Sequence, residues 1–102
     1  MFGDLILRSE MASFCDTLST LIDSGVPIIE SMGRCITASS NQLIKNTIKR
    51  GILLVESGQE LNTSLSVSKS FPKLVISMIR IGEETGQLSF MLNNLSVFYK
   101  RE

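Results

Sequence analysis

The sequence predicts an all-α fold, a compact antiparallel bundle of about six helices. Three observations predict it. Apolar residues recur at spacings of three and four through most of the chain, the period of a helix with one buried face. Both prolines and most glycines stand between those stripes, where they act as helix starts and stops. No segment sustains the period-two alternation, rich in β-branched residues, that marks a half-buried strand.

Leu7, Met11, Phe14, Leu18 and Leu21 form the first stripe, widened by Ile22. Asp4 can cap its start and Gly25 can end it, so the first helix is expected over 5–24. Pro27 suits the first turn of a second helix, since a proline there gives up no helical hydrogen bond. Ile28, Ile29, Met32, Cys35 and Ile36 are its stripe, and it ends near Ala38 in the polar run Ser39-Ser40-Asn41. Asn41 is the expected N-cap of a third helix carrying Leu43, Ile44, Ile48, Ile52 and Val55. Gly51 lies inside it at a cost of about 1 kcal/mol against alanine, which close helix packing would explain. Gly58 terminates it. A short helical element follows at 61–67, with Leu61 and Leu65 on one side, and 66–70 is a loop. Phe71-Pro72 opens a fifth helix with Leu74, Val75, Met78, Ile79 and Ile81, which breaks near 82–86. The last helix carries Leu88, Met91, Leu92, Leu95, Phe98 and Tyr99, and finishes in Lys100-Arg101, cations suited to a helix C-terminus.

Composition narrows the function. The chain has 102 residues, 43% of them hydrophobic, which fits one domain over 1–102 with its own core. Ten basic residues balance ten acidic ones, whereas nucleic-acid binders carry a basic excess. No histidine is present, so the commonest general base and transition-metal ligand are missing. No tryptophan and one tyrosine leave little for base stacking. Cys15 and Cys35 are twenty residues apart among apolar neighbours and read as small buried hydrophobes. The opening MFGDLILRSE has no long apolar stretch, and the longest strictly apolar run, Ile52–Val55, is far below the ~20 residues of a membrane span. The chain as it stands reads as soluble.

A local phrase recurs at three helix ends: Asp23-Ser24-Gly25, Glu56-Ser57-Gly58 and Glu84-Thr85-Gly86. Glycine can take the left-handed conformation that satisfies the last carbonyls. An acid there is mildly unfavourable, unless its carboxylate or the neighbouring hydroxyl reaches the N–H groups of the helix that follows. The unequal spacings exclude a regular repeat array.

Phe14, Leu18 and Leu21 with Ser24-Gly25-Val26-Pro27-Ile28, and the run Phe71-Pro72 … Met78-Ile79 … Gly82-Glu83-Glu84-Thr85-Gly86-Gln87-Leu88 … Met91-Leu92 … Phe98-Tyr99, resemble the opening and closing motifs of one family. It is the inner-membrane platform protein of type II secretion and type IV pilus machines, the F or PilC family. The resemblance covers nearly the whole chain, and its most specific part is the closing G-E-x-[ST]-G-x-L after Phe-Pro. It implies a polytopic bacterial inner-membrane protein with two related six-helix cytoplasmic domains and no catalytic activity or cofactor. It implies a platform on which an assembly ATPase acts so that pilin or pseudopilin subunits join a filament. This chain would be one of those domains, with the flanking membrane segments outside it. Phe2-Gly3-Asp4-Leu5 and Phe98-Tyr99-Lys100-Arg101-Glu102 look more like the second domain, and Met1 is either native or an added start.

The residues that carry the family motif are Gly25, Pro27, Gly58, Phe71, Pro72, Gly82, Glu83, Thr85, Gly86 and Leu88. Glu83 reads as a half-exposed carboxylate that caps a helix or pairs with Arg34 or Arg80; the sharper reading is a domain contact or cation site. Adjacent Glu83 and Glu84 point to different sides of a helix and do not form a calcium set, so no metal site is expected. Lys45, Lys49 and Arg50 form a basic strip on the third helix, either solvated or a contact for an acidic partner or anionic lipid headgroups; contact with the assembly machinery is the expectation. Met11, Met32, Met78 and Met91 are core, or adaptable surface for a homodimer or domain-pair contact. An enzyme is disfavoured, because no phosphate loop or nucleophile–histidine set is present. The competing class is a soluble helical adaptor without a membrane partner, and the residues encoded beyond Glu102, apolar or polar, discriminate the two.

Overall fold

The computed structural model describes residues 2–101, so the readings placed on Met1 and Glu102 lie outside the described residues. Six helices form among the described residues: α1 (Phe2–Asp23), α2 (Ile28–Ala38), α3 (Gln42–Glu56), α4 (Leu61–Leu65), α5 (Lys73–Thr85) and α6 (Leu88–Lys100). Each packs on its neighbour in the chain, and α6 closes the ring on α1 in the most extensive contact. None of the six is long and apolar enough to cross a membrane.

The predicted stripes turn inward. Met11, Phe14 and Leu18 of α1, Ile44 and Ile48 of α3, Val75 and Ile79 of α5, and Leu92 and Leu95 of α6 are buried. A fully buried side chain of this size contributes about 1.5–3 kcal/mol. Phe71, just ahead of α5, meets Phe14 edge to face with ring centres 4.9 Å apart. Gly51 is buried where α3 crosses α4, facing the tips of Leu65 and Met32. The two thiols are buried, and burial pushes both up to about 12; the Cys35 Sγ–H points at the Phe14 carbonyl.

Several boundaries and faces differ from expectation. The first helix is described from Phe2, so Asp4 lies inside its first turn and not at the N-cap position. Pro27 and Pro72 are N-cap residues, and the helices begin one residue later; their carbonyls accept the first helical bonds from Ser31 and Ile76. Gly82 is not a break: it is a buried interior residue of α5, and the chain turns at Gly86. Leu43, Leu74 and Ile81 face outward. Met11 and Met32 are wholly buried and supply no adaptable surface. Asn41 caps α3 as expected, its side chain accepting from Ile44 N at 3.0 Å.

Alternating helix direction gives the bundle two poles. The α1–α2, α3–α4 and α5–α6 turns border one cleft and mark the first pole. The start of α1, the α2–α3 turn and Ser70 border another cleft at the opposite pole. The end of α6 is tied there too, since the Arg8 guanidinium donates to the Phe98 and Arg101 carbonyls at 2.9 and 3.2 Å.

Candidate functional site

Eight of the ten motif residues gather at the first pole. Gly25, Gly58 and Gly86 all adopt positive φ, and each ends its helix the same way. The residue after the glycine donates to a carbonyl five positions back: Val26 to Leu21, Gln59 to Leu54, and Gln87 to Gly82. This closing bond satisfies carbonyls that the helix leaves orphaned. The three turns surround an open cleft of ≈ 290 Å³, walled by Ile22, Val26, Ile28, Val55, Leu61 and Leu88, with Glu60 and Glu83 at its polar side. Phe71 and Pro72 are not part of it; they serve the core and the start of α5 at the other pole.

Gly82 explains how Leu88 reaches the cleft. A Cβ at this position would lie 2.8 Å from Leu88 Cα and 3.1 Å from the Gln87 carbonyl. Only a hydrogen on the α carbon lets the α6 backbone fold back this closely. Glycine therefore stands in mid-helix for contact with a neighbouring chain segment.

Glu83, one residue on, is turned toward α4. Its carboxylate accepts from Leu61 N at 2.7 Å, Asn62 N at 3.0 Å and Asn62 Nδ2 at 2.7 Å. The N-cap residue of α4, Glu60, makes no side-chain cap bond of its own, so the cap comes from a different helix. A carboxylate suits the task, because helix N-terminal N–H groups carry partial positive charge. The capping reading is the observed one. The expected pairing with Arg34 or Arg80 is not: Arg34 lies 3.6 Å from Glu30, one turn back on its own helix.

The recurrent phrase works differently from its expected use. The Ser24, Ser57 and Thr85 hydroxyls donate backward to carbonyls of their own helices. Asp23 reaches forward, accepting from Ser89 on α6 rather than from α2.

The basic strip splits in two. Lys49 and Arg50 are exposed on α3, beside exposed Leu53 and Val67. Lys45 is half-buried and faces Glu10.

Glu10 was missed by the sequence reading. It lies on the buried side of α1 and accepts from the Ser39 hydroxyl at 2.6 Å, the Ser40 hydroxyl at 2.8 Å and Ser40 N at 3.1 Å. The signal was present: one acid between Leu7 and Met11 on an apolar stripe, and a Ser-Ser pair to receive it. Burial alone raises a carboxyl. Here the Ser39 and Ser40 hydrogen bonds and the Lys45 charge outweigh it and hold Glu10 below its ordinary value. A depressed carboxyl adds stability above its unfolded-state value and loses it as pH falls through the folded one. Denaturation midpoints are therefore expected to fall as pH drops below about 4.5, the ordinary value. Glu10→Gln should be less stable at neutral pH and show a flatter acid limb; an unchanged limb would contradict the assignment.

The comparisons with known proteins converge. The family described as type II secretion system (T2SS), protein F matches residues 14–102. The type IV pilus assembly protein PilC of Thermus thermophilus is 36% identical over 103 residues, covering all of this chain and 25% of that protein. PilC of Pseudomonas aeruginosa is 33% identical over 102 residues, covering all of this chain and 27% of the relative. The type II secretion system protein F of Xanthomonas campestris pv. campestris is 37% identical over 92 residues, 90% of this chain and 23% of its own. The chain spans about a quarter of the length of the curated relatives it matches.

Proposed function

This chain belongs to the type II secretion system protein F family, and on that premise we propose that it is a non-catalytic scaffold domain of an inner-membrane platform protein. The domain stands on the cytoplasmic face and couples an assembly ATPase to the addition of pilin or pseudopilin subunits through protein–protein contacts. The family match across residues 14–102 carries the reading. The fold supports it: the best-formed polar arrangements, around Glu10 and Glu83, tie helices together, as a rigid relay needs.

The contact toward the machinery is the α3 face. Arg50 lines a shallow cleft with Leu53, Leu54 and Val67, and exposed Lys49 precedes it on α3. Apolar floor and cationic rim suit an acidic amphipathic segment. In a full-length family protein carrying this chain, Lys49→Glu with Arg50→Glu should abolish filament assembly and co-purification with the ATPase. Lys45 is left unchanged because it supports Glu10. Intact assembly and intact ATPase binding in the double variant would refute this surface.

A further inference from the structure

The net charge of zero conceals a polar molecule. Asp23, Glu30, Glu56, Glu60, Glu83 and Glu84 lie at or beside the three glycine turns. Among the described residues no lysine or arginine falls in the spans 20–30, 56–60 or 82–90 that build this pole. The opposite pole collects Arg8, Lys45, Lys69, Lys73, Lys100 and Arg101. The acids that face these cations among the described residues are Asp4, Glu10 and Asp16; Glu10 is buried and bound by two serines, and Asp16 lies 3.5 Å from Lys100, so Lys69 and Lys73 carry most of the uncompensated charge. The poles stand apart by the length of α3, whose 15 residues span about 22 Å at 1.5 Å each.

The basic pole also carries exposed apolar tips. Leu5 and Leu43 are 63% and 68% exposed, and Ile6 is exposed beside them. Lysines dominate this cap, and they come from the first turn of α3, the α4–α5 loop, the start of α5 and the end of α6, not from one groove. A lysine ammonium is a flexible point charge on a long stem. Scattered over a broad cap around apolar tips, such charges match a fluid array of anionic headgroups better than the fixed complementary face of a folded protein.

We infer that the basic pole docks on an anionic phospholipid surface, holding the bundle upright with its acidic, cleft-bearing pole away from the bilayer. This surface is distinct from the Lys49–Arg50 face of α3.

Co-sedimentation of this chain with vesicles tests it. Binding is expected to vesicles containing phosphatidylglycerol and not to phosphatidylcholine alone, and it should weaken as salt rises. Lys69→Glu, Lys73→Glu and Lys100→Glu together should weaken it roughly tenfold or more, with helical content checked by circular dichroism. Leu43→Ser, a surface change compatible with folding, should also weaken it. Glu56→Lys with Glu84→Lys, at the far pole, should not. Equal binding to both vesicle types, no sedimentation, or full binding by both basic-pole variants would overturn the inference. So would salt-sensitive self-association lost on reversing either pole, which would assign the charges to head-to-tail contact between copies.

Discussion

Replacing Gly82 by alanine is expected to destabilise the domain by about 2–3 kcal/mol, the upper part of the range for forcing extra atoms into a filled site. The added methyl would meet Leu88 Cα at 2.8 Å and the Gln87 carbonyl at 3.1 Å. These are backbone atoms at the start of α6 and cannot rotate away. The α5–α6 turn must open, which withdraws Leu88 from the cleft and loosens α6 against α1. Gly51 is the internal control. Alanine there faces the tips of Leu65 and Met32 at 3.3 and 3.4 Å, flexible ends that can shift. The gain in helix propensity, about 1 kcal/mol, offsets that crowding, so Gly51→Ala should stay within about 1 kcal/mol of the parent. Urea denaturation of the two variants compares them. A Gly82→Ala protein as stable as Gly51→Ala would show that the turn is not held by this contact.

Glu83→Ala is expected to cost about 2–3 kcal/mol, since it strips a charged acceptor from three donors at once. Leu61 N and Asn62 N would keep no acceptor at the start of α4, and a five-residue helix has little other means of holding its first turn. Glu83→Gln should lose roughly half as much. Its amide oxygen still accepts, but its NH₂ confronts an N–H donor where the carboxylate had its second oxygen. Glu60→Ala, at the formal N-cap, should lose less than about 0.5 kcal/mol because that side chain makes no backbone cap bond. The order Glu83→Ala, Glu83→Gln, Glu60→Ala in denaturation midpoints checks the assignment; a larger loss at Glu60 would reverse it.

Helix order and most helix ends were legible in the sequence because they are local. The three glycine stops, the Asn41 cap and the buried stripes follow from neighbours within a few positions. What was not legible is what the ring brings together. Glu83 finds donors 21 and 22 residues back in the chain, and Glu10 finds serines 29 and 30 residues ahead. No spacing rule reports such partners. Gly82 was misread for a related reason. A glycine in a helical run signals an ending if only its own helix is considered, whereas its role here depends on where the next helix begins. Leu43 lies close enough to the α3 stripe to be counted with it, yet no neighbouring helix covers that side. The collection of turns at one pole was implicit in the six-helix reading, but charge segregation between poles emerged only when helix directions were assigned.

The closure of the ring, with α1 finding its largest contact on α6, bears on how the chain is made. Within this bundle Met11, Phe14 and Leu18 are synthesised with the first helix, while a main covering surface, Leu92 and Leu95, follows only with the sixth. Adjacent helices can pair early, since those contacts are short in sequence. The final seam cannot form until α6 has been made, and its loop-closure entropy is that of nearly the whole bundle. Until then α1 carries a partly uncovered apolar stripe. The last helix acts as the latch, converting a series of local hairpins into one cooperative unit.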